Sequence, residues 1–369
     1  MRRMLYLFPV LSLLLTGCSA LPYAHQIDKT ALMEVLGVDG SGTGTVTVTA
    51  ASGPRPESQD PLVLTAQAET ISAACADMGG RGEDYVFFGD VEQVLVGEEA
   101  ARTGLEPLLG HMVRDPELRL EAELWVVKGA DASEVLLGAG KEESLPGRLS
   151  ALSRNAHLLG GPRPQMARGA LTDLLENGAT LLPALERRAA EEGQGAQGAY
   201  VLEAAGYAVI RDGLLLGFTD EAATLGADLL RGLGKGRILE RPGPEGGAVA
   251  LKLTGVKTTF RTRFSGERLT TLVVNCALET QVMEEAGSAA RLGEEDRKRL
   301  ETELAGLAEE AVRAALDCFQ GLEADAIHLL DRVALAVPWK KAALEEHWRE
   351  VFPDLALEVR AEAAVAREQ

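Results

Sequence analysis

The sequence predicts an α+β protein: three modules of mixed sheets with packed helices, forming an elongated body behind a lipoprotein signal peptide. Three observations carry this expectation. Segments of period two recur along the chain, most clearly over Leu118–Val126 and Leu355–Ala363. Segments of helical period stand between them, the longest over Glu294–Phe319. Glycine- and proline-rich runs at 193–198 and 241–247 divide the chain.

At the start, Met1-Arg2-Arg3-Met4 precedes the apolar run Leu5–Leu15, which has signal-peptide length and is too short to span a bilayer comfortably. Leu15-Thr16-Gly17-Cys18 closes that run with small residues before a cysteine. This is the arrangement at which a lipoprotein signal peptidase cuts once the thiol carries diacylglycerol. Residues 1–17 are therefore read as a signal peptide and Cys18 as the lipidated N-terminus of the mature protein. No later segment offers the ~20 uninterrupted apolar residues of a spanning helix. The remainder is expected to be a water-soluble body held at the outer face of a membrane.

The formal charge is −19, and loss of Arg2 and Arg3 with the leader takes it to −21. Acidity on this scale argues against nucleic acid and anionic lipid as direct partners. Beyond Cys18 the chain carries Cys75, Cys276 and Cys318, an odd number in an oxidising setting, so at least one thiol is unpaired. Cys75 lies on an apolar helical face and reads as a small buried hydrophobe. Cys276 and Cys318 either bridge a strand to a helix or remain two core thiols.

In chain order, Leu32–Val38 and Gly44–Ala50 read as a hairpin across the turn-rich segment 39–43. An amphipathic helix is expected over Leu64–Ala76, then a short strand over Tyr85–Phe88, helix over Glu98–Val113 and a half-exposed strand over Leu118–Val126. Asp131 reads as the N-cap of the next helix, with Glu134 in the capping-box position. Residues 160–198, punctuated by Pro162, Pro164 and Pro183, read as helical patches leading to a linker. Tyr200–Ala204 and Tyr207–Ile210 are strand-like, Asp212-Gly213 is a hairpin turn, and Asp220–Leu233 is helical. Strands over Ala248–Phe264 and Leu269–Thr280, the long helix and a last strand complete the chain. The expected domains are thus 18–198 (α+β), 199–240 (a small central strand-helix module) and 248–369 (α+β with the long helix).

Nothing in the sequence builds an active site. Gly232-Leu233-Gly234-Lys235-Gly236-Arg237 looks like a phosphate loop, but Lys235 lacks a following Ser or Thr and the run comes after a helix, so it reads as a helix stop. There is no Gly-x-Ser-x-Gly elbow, and no pair of histidines at metal spacing. Asp325 and His328 could share a helix face, yet two ligands make no zinc site, and they read as solvated polar residues. The pairs Glu98-Glu99, Glu142-Glu143 and Glu345-Glu346 read as exposed helix faces. No enzyme activity, cofactor or metal is expected.

Several blocks resemble the Ger(x)C lipoproteins, the C subunits of nutrient germinant receptors in endospore-forming bacteria. They include the lipobox through Cys18, Gln26-Ile27-Asp28, Glu34-Val35-Leu36-Gly37-Val38-Asp39, Ala68-Glu69-Thr70-Ile71 and Val94–Leu105. Val113–Arg119 with Trp125–Ala130 is the most specific block; Glu323–Ala326, Trp348–Phe352 and Leu357-Glu358-Val359 complete the set. Ser19-Ala20-Leu21-Pro22 departs from the Trp-Asp that often follows the lipid cysteine in the family. The resemblance implies a non-enzymatic three-domain protein outside the inner membrane of the spore, assembled with a polytopic A subunit and a transporter-like B subunit and needed for nutrient-triggered germination. The alternative is a solute-binding or general cell-envelope lipoprotein; a solute-binding protein would need two similar α/β lobes around a cleft.

Overall fold

A hairpin begins the fold: β1 (Thr30–Gly40) and β2 (Val46–Pro54) pair antiparallel, with Gly40 opposite Val46. The computed structural model describes residues 29–40, 44–54, 61–81, 84–138, 144–189, 200–243, 247–286 and 292–366. The leader, Cys18 and the glycine-rich run 193–198 lie outside the described residues. Among the described residues no helix is long and apolar enough to cross a membrane.

Ten strands form the first sheet. Its main path adds β3 (Pro61–Ala68), β5 (Gln93–Gly97), β6 (Glu123–Lys128), β8 (Ala179–Ala189), β9 (Tyr200–Arg211) and β10 (Leu214–Phe218) in the order β10-β9-β8-β6-β5-β1-β2-β3. Short strands β4 (Tyr85–Phe87) and β7 (Gln165–Met166) pair with β1 and β6. The centre, β1-β5-β6-β8, is parallel. Parallel strands are covered on both faces and read as continuous apolar runs, which is why every residue of Gln93–Gly97 and Leu124–Val127 is buried.

Successive residues there serve opposite cores. Val94, Val96, Leu124 and Val126 pack with α1 (Ile71–Gly79), α2 (Glu98–Thr103), α3 (Glu106–Arg114) and α6 (Ala167–Asn177). Leu95, Trp125 and Val127 pack with α4 (Ala132–Gly138) and α5 (Leu145–Leu159).

Three expectations change here. The helix expected over Leu64–Ala76 is a strand followed by a helix: Leu64 and Ala66 pair with Ala50 and Val48, and Thr70 Oγ1 accepts from Ala73 N at 3.2 Å to start α1. Spacing by four suits both periods in so short a run, and the free edge of β2 decided it. The strand expected over Leu118–Val126 begins only at Glu123, because Asp115 Oδ1 accepts from Glu117 N and Arg119 O accepts from Ala122 N, turning the preceding backbone. Residues 179–189, read as part of the helical patches before the linker, are strand β8 between β6 and β9; its register shifts between Pro183 and Leu185, and a bulge is where a sheet tolerates proline.

The second sheet runs β11 (Ile238–Pro242), β12 (Ala248–Ser265), β13 (Arg268–Ala286) and β14 (Ala356–Ala366), with β14 parallel to β13. The expected long helix is α8 (Glu294–Gly321), whose Leu300, Leu304, Ala311 and Ala315 are buried as the spacing predicts. Glu309 and Glu301 of α8 accept from the β14 amides of Ala361 and Val365, both at 3.0 Å, which blunts that sheet edge. Helices α9 (Leu329–Ala336) and α10 (Lys341–Val351) close the core.

The central segment is shared between the two sheets. Asp212 and Gly213 take φ of 51° and 80°, the positive pair of a type I′ turn, and β9 and β10 flanking it end the large sheet. The following helix α7 (Glu221–Leu230), N-capped by Asp220, instead buries Leu225 and Leu229 against Ala311, Ala315 and Phe319 of α8. At Gly226 the helices touch through backbone: a Cβ there would sit 1.9 Å from Ala311 O.

Candidate functional site

Two buried carboxylates sit in the blocks that carry the family resemblance, and both hold helix starts. Asp39 accepts from Ala132 N at 2.7 Å and Ser133 N at 2.8 Å, so the cap of α4 comes from β1 instead of from Asp131. Asp325 accepts from Leu329 N at 2.7 Å, Leu330 N at 2.9 Å and Trp348 Nε1 at 2.9 Å. It is buried, not solvated as expected, because it must reach under α9 to meet those amides. Burial pushes its carboxyl above the ordinary value, against the pull of the three hydrogen bonds.

The His328 ring makes its hydrogen bond elsewhere. The residue takes a left-handed φ of 58°, and its Nε2 donates to Ala179 O at 3.2 Å and lies 3.7 Å from Asp173 Oδ1. Among the described residues no group of three or more His, Cys, Asp or Glu side chains could hold a metal ion.

The glycine run after α7 is a packing device. Gly232, Gly234 and Gly236 all have positive φ, and a Cβ on Gly236 would meet Leu158 O at 1.9 Å. The tight approach brings Arg237 to the end of α5, where its Nε donates to Gly160 O at 2.9 Å.

Arg237 also donates to Asp228, the centre of a polar network that nothing in the sequence pattern marked. Tyr207 Oη donates to Asp228 Oδ1 at 2.6 Å, Arg237 Nη2 donates to Oδ2 at 3.2 Å, and Arg163 N donates to Tyr207 Oη at 2.8 Å. Asp228 has no exposed surface. Burial pushes its carboxyl up to about 6, with Tyr207 and the arginines pulling the other way. The one available signal was a single acid inside the otherwise apolar run Ala227–Leu230.

Beside this network, where the first sheet meets α7 and α9, lies a cleft of about 350 Å³ lined by Gln165, Asp173, Leu181, Arg231, His328 and Arg332 among others. Elsewhere the candidates scatter. Glu98 is tied to Arg102 and Glu345 to Lys341, while Glu142 and Glu143 lie outside the described residues.

Cys75, Cys276 and Cys318 are free cysteines in this structure. Burial raises all three thiols, Cys75 to about 12, and thereby suppresses the thiolate that disulfide chemistry requires.

Comparison with known proteins agrees with this architecture. Residues 24–187 match the family described as spore germination protein N-terminal domain, and residues 205–369 match the spore germination B3/GerAC-like C-terminal family. The putative spore germination protein YfkR of Bacillus subtilis (strain 168) is 23% identical over 268 residues, covering 72% of this chain and 68% of that protein. The crystal structure of the GerBC protein superposes with a TM-score of 0.56 at 17% identity, over 90% of this chain and 97% of its own, which is a likeness of fold. Matched almost end to end by these two domains in their order, the chain belongs to the Ger(x)C family of spore germination proteins.

Proposed function

We propose that this protein is a non-enzymatic accessory subunit of a nutrient germinant receptor, held by lipid on Cys18 at the outer face of the spore inner membrane beside A-type and B-type integral membrane subunits. The observation that carries the reading is the order of parts: a lipobox at Leu15–Cys18, then both family domains to the end of the chain. Lipid suits a body of this charge, since −19, or −21 without Arg2 and Arg3, repels an anionic surface and gives no electrostatic anchor. A terminus carrying more than one acyl chain holds where a single chain binds only marginally. Tethering raises the effective concentration beside the partner subunits, so that weak interfaces suffice. The two unlike sheets, ten strands and four, disfavour the two similar lobes of a solute-binding protein.

Germination of purified spores from an in-frame deletion strain tests this. Exposed to a nutrient panel, the deletion strain loses at least one nutrient response while still germinating in calcium dipicolinate. Wild type restores the response and Cys18→Ala restores it only weakly. Unchanged responses to every nutrient, in a strain stripped of its other receptors, would sink the reading.

A further inference from the structure

The cleft between the first sheet and helices α7 and α9 is lined by two arginines against one carboxylate. Its one carboxylate, Asp173, accepts from Gln165 Nε2 at 2.8 Å and Thr180 Oγ1 at 2.6 Å, with its other oxygen toward His328. Asp228, the next acid, is taken up by Tyr207 and Arg237. The Nε2 proton of His328 goes to Ala179 O.

The cations are placed differently. Arg231 lines the cleft and helps to offset the Asp228 charge, yet its Nη1 is buried with no hydrogen-bond partner among the described residues. Its guanidinium stands over the Tyr207 ring, 5.6 Å from the centroid. Arg332 stands over the Phe260 ring at 5.9 Å. A guanidinium held over a ring keeps its N–H edge for in-plane partners, the geometry that grips carboxylate or phosphate. In a chain of net charge −19, two such arginines lining one cleft reverse the prevailing sign.

We infer that this cleft is a binding site for a small solute bearing an oxyanion, carboxylate or phosphate, gripped by Arg231 and Arg332. About 350 Å³ admits a compact metabolite-sized anion and not a polymer chain. Gln165, whose amide nitrogen is committed to Asp173, keeps its carbonyl oxygen as an acceptor for a hydroxyl or ammonium on the same solute. The site stands independently of the receptor role, because it is read by binding and that role by germination.

Calorimetric titration of the full chain in detergent, with succinate and separately with inorganic phosphate at fixed ionic strength, tests the inference. Saturable binding of at least one is expected, and the one that binds identifies the class. Arg332→Gln and Arg231→Gln each weaken it by about tenfold or more, as loss of a charged hydrogen-bond donor does, while Arg263→Gln on the far part of β12 leaves it unchanged. Arg332 is exposed, so its variant keeps the core intact and carries the test even if Arg231→Gln fails to fold. Absence of saturation with both probes, or wild-type affinity in Arg332→Gln, overturns the site.

Discussion

In the ten-stranded sheet both faces are covered by helices, whereas the four-stranded sheet packs α8 on one face and turns Lys257, Arg261, Glu279 and Glu362 outward on the other. The consequence is a different relation between residue and energy. At the centre of the first sheet each strand position has a core waiting for it on one side or the other. Along β12 and β14 every second position is nearly free to vary.

The largest expected effect sharpens that contrast. Trp125 is fully buried and its Nε1 donates to Gln93 Oε1 at 2.7 Å. Trp125→Ala lowers unfolding free energy by about 3–5 kcal/mol in urea denaturation, against about 1 kcal/mol for the half-buried Phe264→Ala on β12. Equal losses would break the comparison.

Next come the two capping carboxylates, one in each half. Asp325→Ala strands three donors and costs about 3 kcal/mol, while Asp39→Ala strands two and costs about 2 kcal/mol. Thermal melting of the two variants side by side ranks them, and the reverse order would mean that the α4 start finds no substitute partner.

Asp228, at the seam between the halves, differs in that its effect depends on pH. Its folded value of about 6 lies above the ordinary 3.8, so the native state binds this proton more tightly than the unfolded chain. Stability therefore falls as pH rises from 3.8 to about 6 and is level above, by on the order of 3 kcal/mol at 1.36 kcal/mol per pKa unit. Melting across pH 4 to 7 reveals the slope, and Asp228→Asn removes it. The smallest effect belongs to the open face: Arg263→Ala breaks the exposed pair with Glu358 and changes stability by less than about 0.5 kcal/mol.

The same contrast explains what could be read beforehand. The second sheet was legible because one-sided burial writes itself as alternation, and α8 because one face of a long helix writes a period of 3.6 residues. In the first sheet, two-sided burial erases alternation: β8 hid behind Pro183, and β3 shared its spacing with a helix. At the sites, the motif around Cys18 is local and therefore visible. Asp325 and Trp348 both lie in the blocks of family resemblance, but their hydrogen bond spans 23 positions and no pattern announces it. The Asp228 network and the arginine cleft draw on segments from residue 163 to residue 332, which only the folded chain brings together.

Helix α7 has one more consequence. From Ala223 to Leu230 every residue is buried, since the strands before it belong to one sheet and its own apolar surface to the other. Parting the two halves would bare that helix to water, a loss no partial state recovers. Heated in a calorimeter, the molecule melts in one cooperative peak, with the two sheets lost together.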